Sequence, residues 1–519
     1  MAVEVGLLLL TQASSLGKNS LDRLLRATAP LVGRRLYVAV SDSIIASASQ
    51  DGALFFDLAA CVYAGAHRIC RHLDVRFLLD NIKHADSGAK QMQMRCVDRV
   101  FLDRAAKEGE HLPTTKTKPT VLDAGVDSSS QHVPFSPAFT QMAKTPRPAD
   151  YGGVVLGGTF DRLHNGHKIL LSSAALISRS QFTCGVTEGD MLKNKVLHLL
   201  IEPIETRIAA VADFVSDVSS SVRCSVVPIT DPFGPSIVDT NLDCIVASQE
   251  TARGADKVNV RRKENGLNEL DIFIVDLVND PEEDLESADE EKKAGSSKMR
   301  KQLLGTLLKA PIKNPNIPSR PYVIGLSGGI ACGKTNICKT LARLGADVID
   351  CDRLGHEVYL PGTEAYREIV AFFGDDVIDA AHGHVINRRV LGPKVFSNPS
   401  NLAKLNDIVW PRIAQLAQRR IDNTQAKVVV MDAAVLLEAG WEAMVHEVWV
   451  PVIPESEAIR RIVARNNLTE QEAKQRIASQ MGDRERLKHA NVVFCSLWDY
   501  AVTEAQVKKA WSSLMQRLH

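Results

Sequence analysis

The sequence predicts an α/β protein in which two doubly wound parallel-sheet domains follow a smaller α/β N-terminal region. The length of 519 residues suits about three domains of ordinary size. Short apolar, β-prone runs alternate with amphipathic, helix-like stretches, which is the pattern of parallel sheets. Two glycine-containing turns, GGTFDR and SGGIACGKT, each come directly after such a run. A glycine turn between a strand and a helix indicates a phosphate site.

Composition limits the function classes. The apolar fraction of 45% and the charged fraction of 24% are typical of a soluble globular protein. Lys and Arg together number 62, as do Asp and Glu, so no overall basic field favours nucleic acid as a partner. The 10 cysteines are scattered without CxxC pairs, which favours reduced thiols in an intracellular protein.

Residues 1–110 form the predicted small α/β region. Strand-like runs at Gly6–Leu10 and Arg35–Val40 alternate with amphipathic stretches at Ser20–Ala27 and Gly52–Gly65. The histidines and aspartates here lack metal-ligand spacing, and no catalytic constellation is present, so the sequence assigns the region no role.

The N-terminal apolar run Val5–Leu10 predicts a buried strand. It is much shorter than a membrane span and lacks the basic start of a secretory signal. The stretch from Ser20 to Arg35 contains several arginines, which leaves a mitochondrial-targeting interpretation open. These arginines are Arg23, Arg26, Arg34 and Arg35.

Two segments are predicted to lie outside the folded sheets. Residues 111–150 are rich in Pro, Thr, Ser and Lys without hydrophobic periodicity, which predicts a disordered linker. The acidic run at 279–293 predicts a solvated loop, and a helix is expected over Ser297–Leu308.

The first doubly wound domain is predicted over 151–312. Its later strands are expected at Gln181–Val186, Ser225–Ile229, Cys244–Ala247 and Asp271–Val278. A helix is expected between the first two of them, at Pro203–Val218.

Thr159, His164 and His167 follow the first strand of this domain, at a predicted helix start. The two histidines are three residues apart and therefore share a helix face. Backbone N–H groups and the positive end of the helix favour a phosphate ligand there. Zinc is the alternative ligand for paired histidines, although a third ligand is not near in sequence.

The stretch GTFDRLHNGH resembles the T-x-x-x-x-H-x-G-H signature of nucleotidylyltransferases and is similar to phosphopantetheine adenylyltransferase. AGSSKMR is similar to the second motif of that superfamily, with Ala294 and Gly295 departing from its first two positions. The resemblance implies that His164, His167, Lys193 and Arg300 are catalytic, with Lys195 as the competing choice for Lys193. It implies ATP binding by Gly158, Thr159, Ser296 and Ser297, and contact of Thr159 with the attacking phosphate.

The second glycine turn matches G-x-x-x-x-G-K-[ST] and lies between a β-prone run from Tyr322 and a helix-like stretch. This context predicts a phosphate-binding loop for ATP. The Lys334 ammonium would contact phosphates, and the Thr335 hydroxyl would bind Mg²⁺. The predicted loop residues are Gly328, Gly329, Ile330, Ala331, Cys332, Gly333, Lys334 and Thr335.

Asp352 follows a predicted strand that ends near Ile349. Active sites of α/β proteins form at the carboxyl ends of strands. A carboxylate there can accept the proton of an attacking hydroxyl, so Asp352 is the candidate base, and an ordinary loop aspartate is the alternative.

Together with the loop, INRRVLG, WPRI, DAAVLLEAGW and RRIVARNNLTEQEAKQRIASQM resemble dephospho-CoA kinases over nearly all of 322–500. The resemblance implies Asp352 as base, Arg388 and Glu438 as substrate contacts, Arg461 and Arg465 as lid arginines, and Gln480 as the terminal glutamine of the pattern. Ala434 and Trp410 depart from that pattern. A salt-bridged surface helix is the alternative for the two arginines.

The arrangement resembles bifunctional coenzyme A synthases, with a kinase-like domain over 313–519. It implies that ATP with Mg²⁺, 4′-phosphopantetheine and dephospho-CoA are the ligands. It also implies a cytoplasmic location with mitochondrial association, through peripheral membrane contact by the N-terminal region. The alternatives are a small-molecule kinase fused to another nucleotidylyltransferase, and a non-catalytic nucleotide-binding scaffold.

Overall fold

The computed structural model describes residues 2–12, 17–42, 44–45, 52–83, 97–105, 112, 115, 117–122, 150–275 and 295–518. The chain forms two compact units, Met1–Met299 and Arg300–His519. The acidic run at 279–293 and most of the predicted linker at 111–150 lie outside the described residues.

Three five-stranded parallel sheets and one short antiparallel hairpin make up the described structure, which confirms the predicted α/β class. The first sheet has the order β3-β2-β1-β4-β5. Its elements are β1 (Val3–Leu10), α1 (Lys18–Thr28), β2 (Val32–Val40), α2 (Gly52–Ile69), β3 (Asp74–Phe77), α3 (Asp80–Lys83), β4 (Arg99–Leu102) and β5 (Thr120–Val121).

The first sheet extends into the predicted linker, because β5 pairs with Phe101 and Leu102 of β4. Thr120 and Val121 are therefore ordered by backbone hydrogen bonds that their polar sequence context does not indicate. The arginines at 20–35 lie on α1 and β2, and Arg35 forms an ion pair with Asp74 at 2.9 Å.

The second sheet has the order β10-β9-β6-β7-β8. Its elements are β6 (Val154–Gly158), α4 (Asn165–Ile177), β7 (Gln181–Thr187), α5 (Ile204–Val218), β8 (Arg223–Ile229), β9 (Cys244–Ser248), α6 (Ala252–Glu264), β10 (Asp271–Val275) and α7 (Ser296–Leu303). Counted along each chain segment, both sheets of this unit place their strands in the order 3-2-1-4-5.

One continuous apolar core joins these two sheets. Phe55, Phe56 and Tyr63 of α2 belong to the same buried cluster as Leu171 and Phe214 of the second sheet's helices. The residues before 122 are thus packed against the domain that follows them.

The second unit has the sheet order β12-β15-β11-β16-β17, with its first strand β11 at the centre. Its elements are β11 (Tyr322–Leu326), α8 (Lys334–Arg343), β12 (Asp347–Asp350), α9 (Cys351–Glu357), α10 (Glu364–Phe373), β13 (Ile378–Asp379), β14 (Val385–Ile386), α11 (Arg388–Phe396), α12 (Pro399–Asn423), β15 (Val428–Asp432), β16 (Glu447–Val452), α13 (Glu455–Asn466), α14 (Glu470–Ala478), α15 (Asp483–His489), β17 (Val492–Cys495) and α16 (Tyr500–Leu518).

The helix expected over Ser297–Leu308 is shorter than predicted, because α7 ends at Leu303. Gly305 adopts φ +71°, and its N–H donates to Val493 O at 2.9 Å. The backbone after Leu303 therefore bonds to β17 instead of continuing the helix.

None of the helices in the described ranges is both long enough and apolar enough to cross a membrane.

Candidate active sites

The first candidate site lies where β6 ends and α4 begins. Thr159 follows the last residue of β6, and His164 is the N-cap of α4. Phe160 and Arg162 both have positive φ, so the backbone turns sharply between the strand and the helix. Such a turn brings Thr159 and the amino end of α4 to the carboxyl edge of the sheet, where phosphates bind in α/β proteins.

His164 and His167 stack against each other, with ring centroids 3.8 Å apart and planes at 23°. Both Nδ1 atoms are buried and have no hydrogen-bond partner in the described part of the chain. Each residue is only half-buried overall, so part of each histidine is accessible although its Nδ1 is not.

Both imidazoles are held in the neutral form. Burial, reinforced by the nearby His67, lowers the pKa of His164 to about 4. Burial and the adjacent His164 also lower the pKa of His167 well below its usual range. Neutral rings at pH 7 can donate one N–H each to a phosphate, and an arriving anion would favour their protonation.

A buried arginine, which the sequence did not single out, supports this loop. Arg207 of α5 is 1% exposed and donates to Thr159 O and Thr187 O, each at 2.8 Å. Its Nε donates to Glu202 O at 2.8 Å. The guanidinium thus holds the loop backbone through three carbonyl groups. No local sequence pattern around Arg207 indicates this role.

The two motifs of the first domain meet at Asp161. Ser296, the first residue of α7, donates its hydroxyl to Asp161 O at 3.0 Å. Ser297 is the next residue of that helix, and Arg300, one turn further, has a buried side chain. Residues 135 positions apart in the sequence are therefore adjacent in the fold.

The candidate lysines lie on the surface. Lys193 is 69% exposed and forms an ion pair with Asp190 at 2.7 Å. Lys195 is also exposed, and its N–H donates to Leu192 O. The Lys193 ammonium pairs with Asp190 within its own loop, so the geometry does not choose between the two lysines.

The second candidate site is the loop between β11 and α8. Gly333 has φ +89°, and a Cβ there would lie 3.0 Å from Ser496 Oγ, so glycine is required. Lys334 reaches back to donate to Gly328 O at 3.0 Å. The Thr335 side chain, in the first turn of α8, is exposed. Gly329, Ile330, Ala331 and Cys332 complete the turn.

A second buried arginine supports this loop. Arg486 of α15 is fully buried and donates to Ser327 Oγ and Ala434 O, each at 3.0 Å. It also forms an ion pair with Glu438 at 3.2 Å. Gln480, found through the family pattern, accepts from the Ile330 N–H at 2.8 Å.

Three carboxylates, those of Asp350, Asp352 and Asp432, lie near the end of the loop. Asp432 is at the carboxyl end of β15 and is paired with Leu326 at the end of β11 and with Asp350 at the end of β12. Asp350 caps α9 by accepting from the Arg353 N–H, and Asp352 follows in its first turn. The sequence analysis missed Asp432, although its position at the end of KVVVMD is a usable signal.

The charges at this edge act on each other. Desolvation raises the pKa of Asp352, Lys334 opposes that shift, and Asp350 reinforces it. Desolvation likewise raises the pKa of Asp432, against the effect of Lys334. The Lys334 ammonium is therefore close enough to act on both carboxylates.

The two candidate lid arginines have different surroundings. Arg461 donates to Ala331 O at 3.2 Å and to Ser496 Oγ at 2.8 Å, so it contacts the phosphate-binding loop. Glu457 holds its Nε at 2.7 Å. Arg465 lies on the same face one turn later, is exposed, and donates to Asn466 Oδ1.

The substrate residues implied by resemblance are separated. Arg388 contacts His356 Nε2 at 2.8 Å and lines a cavity of about 420 Å³. Burial and Arg388 lower the pKa of His356, so it can accept from the guanidinium. Glu438 instead pairs with Arg486, and its Oε2 is buried without a partner in the described structure.

Within the described residues, no group of three or more His, Cys, Asp or Glu side chains could hold a metal ion. The zinc alternative for the histidine pair therefore has no third ligand among them.

We expect stability to fall with acidification because of His164. Its folded pKa of about 4 lies below the ordinary value near 6.5, so unfolded chains bind the proton first. Between pH 7 and pH 5 the contribution lost is about 1–2 kcal/mol. Denaturant unfolding at both pH values should show this loss, and His164→Gln should reduce it. The exposed His382→Gln is the control; an equal effect of both changes would contradict the assignment.

We expect Arg486→Met to weaken ATP binding about tenfold. The change removes the hydrogen bonds from Arg486 to Ser327 and Ala434 that hold the loop, and buried bonds of this kind contribute about 1–3 kcal/mol. Calorimetric titration of the chain with ATP measures it. Arg484→Met, an exposed arginine on the same helix, should leave the affinity unchanged. A folded Arg486→Met chain with wild-type affinity would contradict the bracing role.

Two segments of the chain match known protein families. The model of the dephospho-CoA kinase family matches residues 322–496, and that of the cytidylyltransferase-like family matches residues 155–301. The chain is 38% identical over 201 residues to the dephospho-CoA kinase of Moorella thermoacetica, covering 38% of this chain and 94% of that protein. It is 38% identical over 195 residues to that of Geobacter sulfurreducens, covering 37% and 97%.

Among solved structures, a dephospho-CoA kinase from Campylobacter jejuni aligns at 24% identity and a TM-score of 0.31, over 38% of this chain and 98% of that one. On the sequence identity to its relatives, the chain belongs to the dephospho-CoA kinase family and carries a cytidylyltransferase-like domain before the kinase domain.

Proposed function

We propose that the chain carries out the last two steps of coenzyme A synthesis. The first unit would transfer the adenylyl group of ATP to 4′-phosphopantetheine, giving dephospho-CoA and pyrophosphate. The second would phosphorylate the ribose 3′-hydroxyl of dephospho-CoA with ATP. The observation that carries the proposal is a histidine-pair phosphate site and a kinase of known family in one chain, because the expected product of the first is the substrate of the second.

In the first step, a phosphate oxygen of 4′-phosphopantetheine attacks the α-phosphorus of ATP. The bond from that phosphorus to the oxygen of the β-phosphate breaks, and pyrophosphate leaves. No protein nucleophile is needed, so the residues act by positioning and by donating to developing charge. Thr159 would orient the attacking phosphate, and His164 and His167 would donate to the α- and β-phosphates.

The second motif and the surface lysine would complete the first site. The N–H groups at the start of α7, which begins with Ser296 and Ser297, would contact the β- and γ-phosphates. Arg300 would add charge from the next turn. Lys193 or Lys195 would reach the transferring phosphate from its surface loop.

In the second step, the 3′-hydroxyl oxygen attacks the γ-phosphorus and ADP leaves. Asp352 would accept the hydroxyl proton, and its raised pKa suits a base that must take up a proton. Lys334 and Arg461 would contact the phosphates, Arg465 would close from the same helix face, and Arg388 would hold the acceptor.

Mg²⁺ suits the second site. Asp432 Oδ1 is a buried carboxylate oxygen without a partner in the described residues, and the Thr335 hydroxyl is exposed in the first turn of α8. Hydroxyl and carboxylate oxygens together with phosphates are the ligands that Mg²⁺ prefers. The ion would neutralise phosphate charge, while the side chains named above orient the acceptor and take the proton.

The direct test incubates the purified chain with 4′-phosphopantetheine, ATP and Mg²⁺. Pyrophosphate and ADP should both form, with dephospho-CoA as a transient species and coenzyme A as product. Parallel reactions with CTP replacing ATP, and with nucleosides replacing dephospho-CoA, test the alternative of another nucleotidylyltransferase joined to another kinase. Absence of both pyrophosphate and ADP would contradict the proposal and favour a scaffold.

Two variants separate the steps. His167→Ala should lower pyrophosphate release about 10²–10³-fold and leave phosphorylation of supplied dephospho-CoA unchanged, because one phosphate donor is lost. Lys334→Ala should lower ADP release from supplied dephospho-CoA and leave pyrophosphate release unchanged. Quantifying pyrophosphate and ADP separately measures both, and loss of both steps from either change would contradict independent sites.

We propose a cytoplasmic location with mitochondrial association, which is supported only by the family resemblance. Imaging fluorescent fusions of the full chain and of an Arg26→Gln, Arg34→Gln double variant tests it, because both arginines are exposed and their replacement leaves the shared apolar core intact. Association should weaken in the variant, and equal distributions of the two fusions would contradict a role of these arginines.

A further inference from the structure

The helix that carries the histidine pair is anchored to the N-terminal domain, defined as the described residues 2–122. Lys168 directly follows His167 and is 6% exposed. Its Nζ lies 2.6 Å from Asp74 Oδ1 and 3.0 Å from Val75 O, both on β3 of the N-terminal domain. A buried ammonium one residue from a predicted catalytic ring is thus held by a different sheet.

Asp74 is the centre of a wider charge network. Its Oδ2 accepts from Arg35 and Arg76, each at 2.9 Å. Arg76, itself 7% exposed at its side chain, continues to Asp213 at 2.8 Å and Asp217 at 2.7 Å on α5. Burial alone would raise the pKa of Asp74, but Lys168, Arg76 and Arg35 lower it to about 2, so it is ionised at neutral pH.

A second polar contact holds α4 on the same side. Tyr63 of α2 lies 3.3 Å from Ser172 Oγ, hydroxyl to hydroxyl. Lys168 and Ser172 are four residues apart and therefore share one face of α4. Two polar anchors on one face fix both the rotation and the axial position of the helix.

The N-terminal domain does not repeat the histidine pair. Its sheet has the same strand order, 3-2-1-4-5, as the sheet that carries Thr159, and Thr11 follows β1 as Thr159 follows β6. Five and eight residues after Thr11 the sequence has Leu16 and Asn19, where the second domain has His164 and His167. The N-terminal sheet therefore shares the strand order of the second sheet without histidines at these two positions.

We propose that the N-terminal domain is a positioning domain for the histidine site, and that Asp74 is the positioning residue that fixes α4 through Lys168. This rests on the proposed adenylyl transfer. Without the Asp74 charge, Lys168 would be buried uncompensated and α4 would shift to solvate it. A displacement of about 1 Å at a catalytic group can cost about 10²-fold in rate.

The experiment compares Asp74→Asn with Asp22→Asn in the full chain. The Asp22–Arg68 pair has a similar length, 2.7 Å, and side chains 21% and 16% exposed, but it joins α1 to α2 only. Asp74→Asn should lower kcat for pyrophosphate release at least tenfold and change KM for 4′-phosphopantetheine less than threefold. Asp22→Asn should keep kcat within twofold, and ADP release from supplied dephospho-CoA should be unchanged in both.

Histidine ring NMR signals provide a readout independent of turnover. The His164 and His167 signals should shift in Asp74→Asn and not in Asp22→Asn. Asp74→Glu, which retains the charge, should recover at least a third of the wild-type kcat. If Asp74→Asn fails to fold, the double variant Asp74→Leu with Lys168→Met leaves no buried ammonium uncompensated but still removes the polar anchor of α4 on β3. Its kcat should therefore still be at least tenfold low, because the histidine pair is no longer held in place.

Wild-type kcat and unshifted ring signals in a folded Asp74→Asn or double variant would overturn the proposal. Absence of pyrophosphate from the wild-type chain would instead overturn the proposed adenylyl transfer, while the ring signals would still decide whether Asp74 positions the pair.

Discussion

Each of the two strand-to-helix loops is held by a buried arginine. A loop that turns its N–H groups toward a phosphate directs carbonyls and hydroxyls elsewhere, and buried polar groups need partners. Arg207 donates to Thr159 O and Thr187 O, and Arg486 donates to Ser327 Oγ and Ala434 O. A guanidinium can satisfy several acceptors at fixed angles, which a lysine ammonium does not do. The loops are therefore preorganised by residues that need not touch the nucleotide.

The sequence predicts site residues that lie within one local motif, and it does not predict contacts between residues that are far apart in the chain. The strand, glycine turn and helix of each site follow from local pattern, and so do Thr159, His164, His167 and Lys334. Arg207 lies 48 residues from Thr159, and Arg486 lies 159 from Ser327, so no local periodicity relates them. The end of α7 differs from the prediction for the same reason, since the Gly305 N–H donates to Val493 O on the edge strand β17.

The relation between the first two sheets is also invisible to pattern. Identical strand order is a property of pairing, and residues that pack a core can be exchanged freely if volume and polarity are kept. In the sequence, the relation between the two sheets is visible at Thr11, which follows β1 as Thr159 follows β6. The strand β5 shows the same limit, because pairing with β4 orders two residues within an apparently structureless polar stretch. Function in the N-terminal domain has to be sought in its contacts, such as Asp74 with Lys168, rather than in motifs.

On the proposed function, the two sites would bind phosphate by opposite electrostatic means. The loop of the second unit has a lysine ammonium among carboxylates whose pKa values are raised, so its charge exists before ATP arrives. The first site contains two stacked imidazoles kept neutral by burial. Their protonation becomes favourable only as negative charge collects beside them, so their stabilisation grows with charge on the reacting phosphates. Interactions that strengthen toward the transition state raise kcat rather than only substrate affinity. Such a gain requires the rings to stay where the charge develops, which is why the anchoring of α4 matters to the chemistry.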